Sequence, residues 1–181
     1  MSVPPTVPRK LDGRFRIRQV AMEDLPDLAR VKARAWRESY DLPDSILRHQ
    51  DEAATSIAGE WADEAARGAY FWGVLDTRAQ DSSEGELPWV GLALAVPARD
   101  ADAPAPLELA MIYLLEVAKG SGIADRLLQM AIGDAPCYLW VLENNPRAMA
   151  FCARHGFAPD GARQAPTGSA AHLHEVRLVR N

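Results

Sequence analysis

Cysteine is scarce in this chain: Cys137 and Cys152 are the only two among 181 residues. Two thiols make no disulfide framework, and a chain of this length can bury a core without one. Long apolar runs are also missing. Nothing reaches the length of a membrane span, and the first thirteen residues hold no apolar signal-peptide core. The expectation is a cytoplasmic protein with no membrane partner. Positive charge is not in excess, since 20 Lys and Arg against 25 Asp and Glu leave a net charge of −5. That argues against a nucleic-acid partner and is compatible with a cationic or amine substrate. Neither GxxxxGKS/T nor GxGxxG occurs, so neither a Walker-type loop nor a dinucleotide fingerprint is supported. His172 and His174 alternate onto one face of a predicted strand, but two ligands do not make a metal site, and no metal is expected.

What is present is an ordinary globular composition, 48% hydrophobic and 25% charged. It predicts one domain over residues 13–181 behind a flexible, Pro-rich tail at residues 1–12. Residues 15–20 alternate apolar and polar and predict a first strand. Leu25, Leu28, Ala29, Val31, Lys32, Ala35 and Trp36 then form a helical face that runs to about Ser39. Pro26 is tolerated in its first turn. Asp44 is a candidate cap for helical structure from Ser45 to Gly68, as one long helix or two shorter ones. Residues 70–75 and 89–96 predict hairpin strands around a polar loop containing Gly85. Residues 97–106 form a Pro-rich loop. Residues 158–169 hold enough glycine and proline to limit regular structure to short pieces, and residues 172–179 predict a closing strand.

The chain is organised around residues 107–157. An apolar strand, 109–115, leads through Lys119, Gly120, Ser121, Gly122, Ile123 and Ala124 into a helix whose apolar residues are Ile123, Leu127, Leu128, Ala131 and Ile132. Glycines between a strand and a helix let backbone N–H groups converge on one anion, so this turn is a candidate phosphate site. A second apolar strand, 137–142, is followed by Asn145 and Pro146. These suit a helix cap and a first helical position. That helix is predicted to run to about His155 and stop at Gly156, with Phe157 opening another strand.

These residues resemble the GCN5-related N-acetyltransferase (GNAT) superfamily. Its pattern Gln/Arg-x-x-Gly-x-Gly/Ala falls on residues 119–124, with Lys119 in place of Arg or Gln and with Gly122 and Ala124 fitting. Its later pattern falls on Leu139, Val141, Asn145, Ala148, Phe151, Gly156 and Phe157, but the usual Tyr is Cys152. The match is strong over residues 108–160 and weaker over 15–40 and 174–180. The resemblance implies an α/β fold with a mixed, mostly antiparallel central sheet flanked by helices, the acyl-CoA N-acyltransferase fold. It implies an acetyl-CoA-dependent N-acetyltransferase acting directly on a primary amine of a small molecule or protein, without a metal; many such relatives are homodimers. The alternatives are a coenzyme-binding module with weak or no catalysis, or an enzyme using a longer acyl-CoA.

By the same resemblance, the backbone of Lys119 to Ala124 would hold the coenzyme diphosphate. A bulged strand would offer Tyr113, Leu114 and Leu115 to the pantetheine arm, and Asn145, with Ala148 in its turn, would contact that arm. Glu108 is the candidate general base; Glu116, near the anionic coenzyme, is a poorer one. Strict alternation would put Glu108 with Ala110, Ile112 and Leu114. Cys152 occupies the general-acid position, with Tyr40, Tyr113 or solvent as substitutes, but the residue itself reads first as a small buried thiol on the packed face of its helix. Trp36, Tyr40, Trp61 and Trp72 read first as packing residues, and the resemblance adds a role for this region in the acceptor wall.

Overall fold

The computed structural model describes residues 13–41, 43–79, 88–166 and 173–181. The tail at 1–12, the loop around Gly85 and His172 lie outside the described residues. Among the described residues, seven strands and four α-helices follow in the order β1 (Phe15–Gln19), α1 (Leu25–Ser39), α2 (Asp44–Ala66), β2 (Tyr70–Asp76), β3 (Trp89–Pro97), β4 (Leu107–Leu114), α3 (Ile123–Ile132), β5 (Cys137–Leu142), α4 (Pro146–Arg154), β6 (Ala158–Gln164) and β7 (Glu175–Arg180). The sheet runs β1-β2-β3-β4-β5-β7-β6, antiparallel throughout except where β4 meets β5.

The expected helical face of α1 is seated in the core through Leu25, Leu28, Ala29, Val31 and Ala35, joined by Ala33. Lys32 is only partly buried, and Lys32 Nζ donates to Gln50 Oε1 at 3.4 Å. Residues 44–66 form one helix, with Pro43 at the cap position. Asp44 is therefore inside the first turn, where its charge complements the helix dipole. The closing strand begins at Glu175, so His174 precedes it. Residues 158–164 form a full strand despite Pro159 and Gly161. The register steps from Pro159–Leu178 to Arg163–Val176, and Gly161 takes φ +93° within that irregularity. A bulge has absorbed the residues that would have broken a regular strand.

Two core clusters divide the molecule. One joins α1, α2 and α3 to β1–β4, with Leu28, Trp61, Phe71, Leu92, Leu94 and Leu127 among its members. The other joins α3 and α4 to the rest of the sheet through Leu128, Ile132, Leu139, Val141, Cys152, Phe157 and Leu178. The Trp61 ring lies 5.5 Å from that of Phe71, tilted by 44°, and is core, as expected. The two clusters meet where β4 and β5 part. Those strands pair only at Leu107–Cys137 and Glu108–Tyr138, and then diverge.

Candidate active site in the gap between two strands

The gap has a cause in β4. Ala95 pairs with Leu109 but Leu94 pairs with Met111, which makes Ala110 an extra residue. A one-residue bulge reverses the alternation beyond it. Glu108 therefore shares a face with Met111 and Tyr113, not with Ala110, Ile112 and Leu114 as unbroken alternation required. This is the α1–α2 face: Trp36 Nε1 donates to the Tyr113 hydroxyl at 3.2 Å.

The bulge also decides which backbone groups enter the gap. Leu115 N–H donates to the Val90 carbonyl at 2.8 Å, so it is spent on β3. Along an antiparallel strand the direction alternates, which turns Tyr113 N–H toward β3 as well. Leu114 keeps its expected outlook, and Ile112, which the sequence did not single out, joins it. Tyr113 and Leu115 are corrected accordingly: their N–H groups face the neighbouring strand.

Beyond β4 the chain makes a short 3-10 turn, Glu116–Ala118, before the glycine turn. Gly120 and Gly122 take φ +77° and +86°, the left-handed region that a side chain would strain. Gly122 is the cap of α3, whose first-turn N–H groups have no acceptor within the helix. Ser121 ties the turn down. Its hydroxyl donates to the Ala118 carbonyl at 2.6 Å and accepts from Ile123 N–H at 3.3 Å. The side-chain-free backbone, the helix end and Lys119 make a donor set that fits a diphosphate.

At the opposite lip, Asn145 Oδ1 accepts from Ala148 N–H at 3.0 Å, the expected cap of α4. Its Nδ2 donates to the Tyr40 hydroxyl at 2.9 Å. Both polar ends of the amide are thus engaged within the protein. Trp36 and Tyr40 lie 5.1 Å apart, so this aromatic pair stands on the cleft side.

Glu108 is only 5% exposed. Its Oε1 accepts from Arg99 Nη2 at 2.6 Å, and its Oε2 accepts from Arg99 Nε at 2.9 Å and from the Tyr138 hydroxyl at 3.1 Å. The Tyr138 hydroxyl in turn accepts from the N–H groups of Arg99 and Asp100, both at 3.2 Å. Glu108 is thus a fastening for the β3–β4 loop, with both oxygens occupied. Arg177 fastens the same loop from β7. It is buried against Asp160 at 2.7 Å and Asp102 at 3.0 Å, with Asp100 at 3.5 Å, and Trp140 Nε1 donates to Asp100 Oδ2 at 2.9 Å. The two carboxylates that face Arg177 most closely, and chiefly Asp102, raise its pKa.

Cys152 needs a correction as well. It is packed in the second core cluster with Leu139, Val141 and Leu178, the face of the sheet opposite Tyr113 and Glu108. Burial pushes its thiol up to about 11. A protonated thiol closed into apolar packing has no path to a leaving group in the cleft.

A carboxylate absent from the expected set is Glu175. Leu142 and Gln164 flank it in the sheet, and it lies two residues from Arg177 on the face that carries Tyr138 and Trp140. Gln164 Nε2 donates to it at 3.1 Å. Burial raises its pKa, a raise to which the charge of Glu108 adds. Strand alternation alone could place Glu175 on a face; only the sheet order puts that face beside the gap. Two grooves of about 330 and 280 Å³ share Met22 and Leu25 and are lined by none of the gap residues. They lack acid–base groups beyond Arg30 and the Tyr70 hydroxyl.

The family model described as "Acetyltransferase (GNAT) family" matches residues 27–157. Among curated proteins there is no match. Solved structures share the fold at low identity. PaiA N-acetyltransferase from Thermoplasma acidophilum, in complex with coenzyme A, aligns with TM-score 0.67 and 18% identity over 92% of this chain and 98% of that one. A structure described as histone acetyltransferase HPA2 and related acetyltransferase, from Corynebacterium glutamicum, gives 0.63 and 20% over 92% and 96%. Ribosomal-protein-alanine N-acetyltransferase from Brucella melitensis gives 0.60 and 20% over 91% and 98%.

Proposed function

Since the chain belongs to the acetyltransferase (GNAT) family, we propose that it is an N-acetyltransferase that passes an acetyl group from acetyl-CoA straight to a primary amine. The observation that carries this reading is the gap between β4 and β5 together with the two left-handed glycines at its end. Acetyl-CoA brings the acyl group as an activated thioester. The N–H groups of Ile112 and Leu114 suit its arm and the thioester oxygen, and the start of α3 suits its diphosphate.

The amine enters from the α1–α2 face, where Tyr113, Tyr40 and Glu175 are gathered. An alkylammonium must shed a proton before its nitrogen can attack. Glu175 suits that step better than Glu108, whose oxygens are occupied by Arg99 and Tyr138. The proton moves from nitrogen to a Glu175 oxygen and then to water. As the C–N bond forms and the C–S bond breaks, the sulfur takes a proton from the Tyr40 hydroxyl. That hydroxyl accepts from Asn145 Nδ2, which leaves its own O–H proton available. The second proton lost by the nitrogen restores Tyr40 through solvent.

Thermal unfolding with saturating acetyl-CoA, free coenzyme A and ATP tests the premise. Ligand at about 100 times its dissociation constant adds roughly 2.7 kcal/mol. That raises Tm by about 5–10 °C for a domain of this size. Both coenzyme forms should act and ATP should act little. A sample free of bound coenzyme that shows no shift with either form would remove the reading. A positive shift leads to an amine panel assayed by release of coenzyme thiol.

A further inference from the structure

The entrance of the gap carries charges that a backbone phosphate site does not need. Arg147 lies in the first turn of α4, and its Nη1 is 3.7 Å from Glu116 Oε2. The same oxygen meets Lys119 Nζ at 3.0 Å. Lys119 is held twice, because its Nζ also donates to Ser39 Oγ at 3.2 Å, and its side chain is only 12% exposed. Arg147 is 62% exposed and has the longer contact. Glu116 itself is 65% exposed and closes no core group. A second acid, Glu38, stands beside it and accepts Glu116 N–H at 2.6 Å.

An exposed carboxylate at the door of an anion site opposes the ligand by charge. It does have a local use, since it neutralises two cations that would otherwise repel each other across the turn. The two cations are not equivalent. Lys119 is pinned by Ser39 whether or not Glu116 is near. Arg147 has a long, flexible side chain on the far lip of the gap, and its planar fork matches phosphate oxygens better than one carboxylate oxygen at 3.7 Å.

We propose that Arg147 is a further phosphate-binding residue of the coenzyme site and that Glu116 is its internal counter-ion, displaced when the coenzyme's phosphates arrive. This rests on the coenzyme reading above and names a residue outside the 119–124 turn. Coenzyme binding then exchanges one ion pair for a stronger one, and Glu116 sets how much affinity is spent on the exchange.

Calorimetric titration of the full chain with coenzyme A and with pantetheine, which lacks phosphate, tests this without knowledge of the acceptor. Arg147→Gln should weaken coenzyme A about tenfold, the loss of one charge-assisted contact, and should leave pantetheine unchanged. It should also flatten the dependence of affinity on salt. Glu116→Gln should tighten coenzyme A several-fold, and most of that gain should vanish when Arg147→Gln is added. Equal coenzyme affinity of Arg147→Gln and the unmodified chain overturns the inference, as does a gain from Glu116→Gln that survives undiminished in the double variant. Failure of the unmodified chain to bind coenzyme A overturns the coenzyme site itself, and the inference with it. Both positions are on the surface, and matching melting curves confirm that the variants are folded.

Discussion

Replacing Glu108 by Gln separates two roles that a carboxylate at this position can have. As a fastening it holds the β3–β4 loop; as a base it would receive a proton from the amine. Glu108 is 5% exposed and accepts three hydrogen bonds, of 2.6, 2.9 and 3.1 Å. Gln keeps the shape but removes the charge, and it turns an NH2 group toward donors on Arg99 or Tyr138. A hydrogen bond to a charged group contributes about 1.5–3 kcal/mol net. The Arg99 side chain is 52% exposed, so water recovers part of its loss. The expected destabilisation is about 1–3 kcal/mol, which lowers Tm by roughly 2–12 °C. Arg99→Met should lose much of the same stability, and the double variant should lose less than the sum of the two. Melting curves for the four proteins, with coenzyme turnover measured on each, decide the matter. An unchanged Tm together with a hundredfold fall in kcat at constant KM would refute the fastening and return Glu108 to the chemistry.

Two further outcomes follow from burial. Glu175 has a folded pKa above that of an unfolded Glu, so the folded state binds the extra proton between the two values. Stability therefore falls as pH rises through that window, and Glu175→Gln should flatten this part of a Tm-against-pH curve and raise Tm at neutral pH; a curve unchanged in shape would refute the assignment. Cys152, with its thiol pushed up to about 11, should react with a disulfide reagent at pH 8 only after unfolding. Cys152→Ala should keep turnover near that of the unmodified chain while costing some stability, and rapid labelling of native Cys152 would contradict its place in the core.

The regular elements were legible because their signals are local. Apolar spacing marked α1 and α3, and Asn145 with Pro146 announced the start of α4, where the structure adds the bond from Ala148 N–H. The glycine turn was legible for the same reason. The face of Glu108 was not. One extra residue, Ala110, reverses the alternation, and nothing about an alanine in an apolar strand announces a bulge. The same residue decided that Ile112 and Leu114, and not Tyr113 or Leu115, turn their N–H groups into the gap. Arg99, Arg177 and Glu175 were illegible for another reason. Their partners lie far off in sequence, Asp102 being 75 residues from Arg177, so their roles exist only once the sheet order is known. Cys152 read first as a packed residue of its helix, and the structure bears this out, with the thiol turned into the second core cluster.

The short ladder between β4 and β5 has a mechanical consequence. Two residue pairs join a four-stranded sheet to a three-stranded one, and the second core cluster packs across the joint through Leu109 of β4 and Leu128 of α3. At the other end of the wedge, the bond from Asn145 to Tyr40 ties α4 to α1 across 105 residues of sequence. Across the open end the ties are made by side chains, this bond and the Arg147–Glu116 pair, and not by a row of backbone bonds. Widening the open end would break no ladder, so amide exchange along the facing edges of β4 and β5 should be faster than exchange within either ladder.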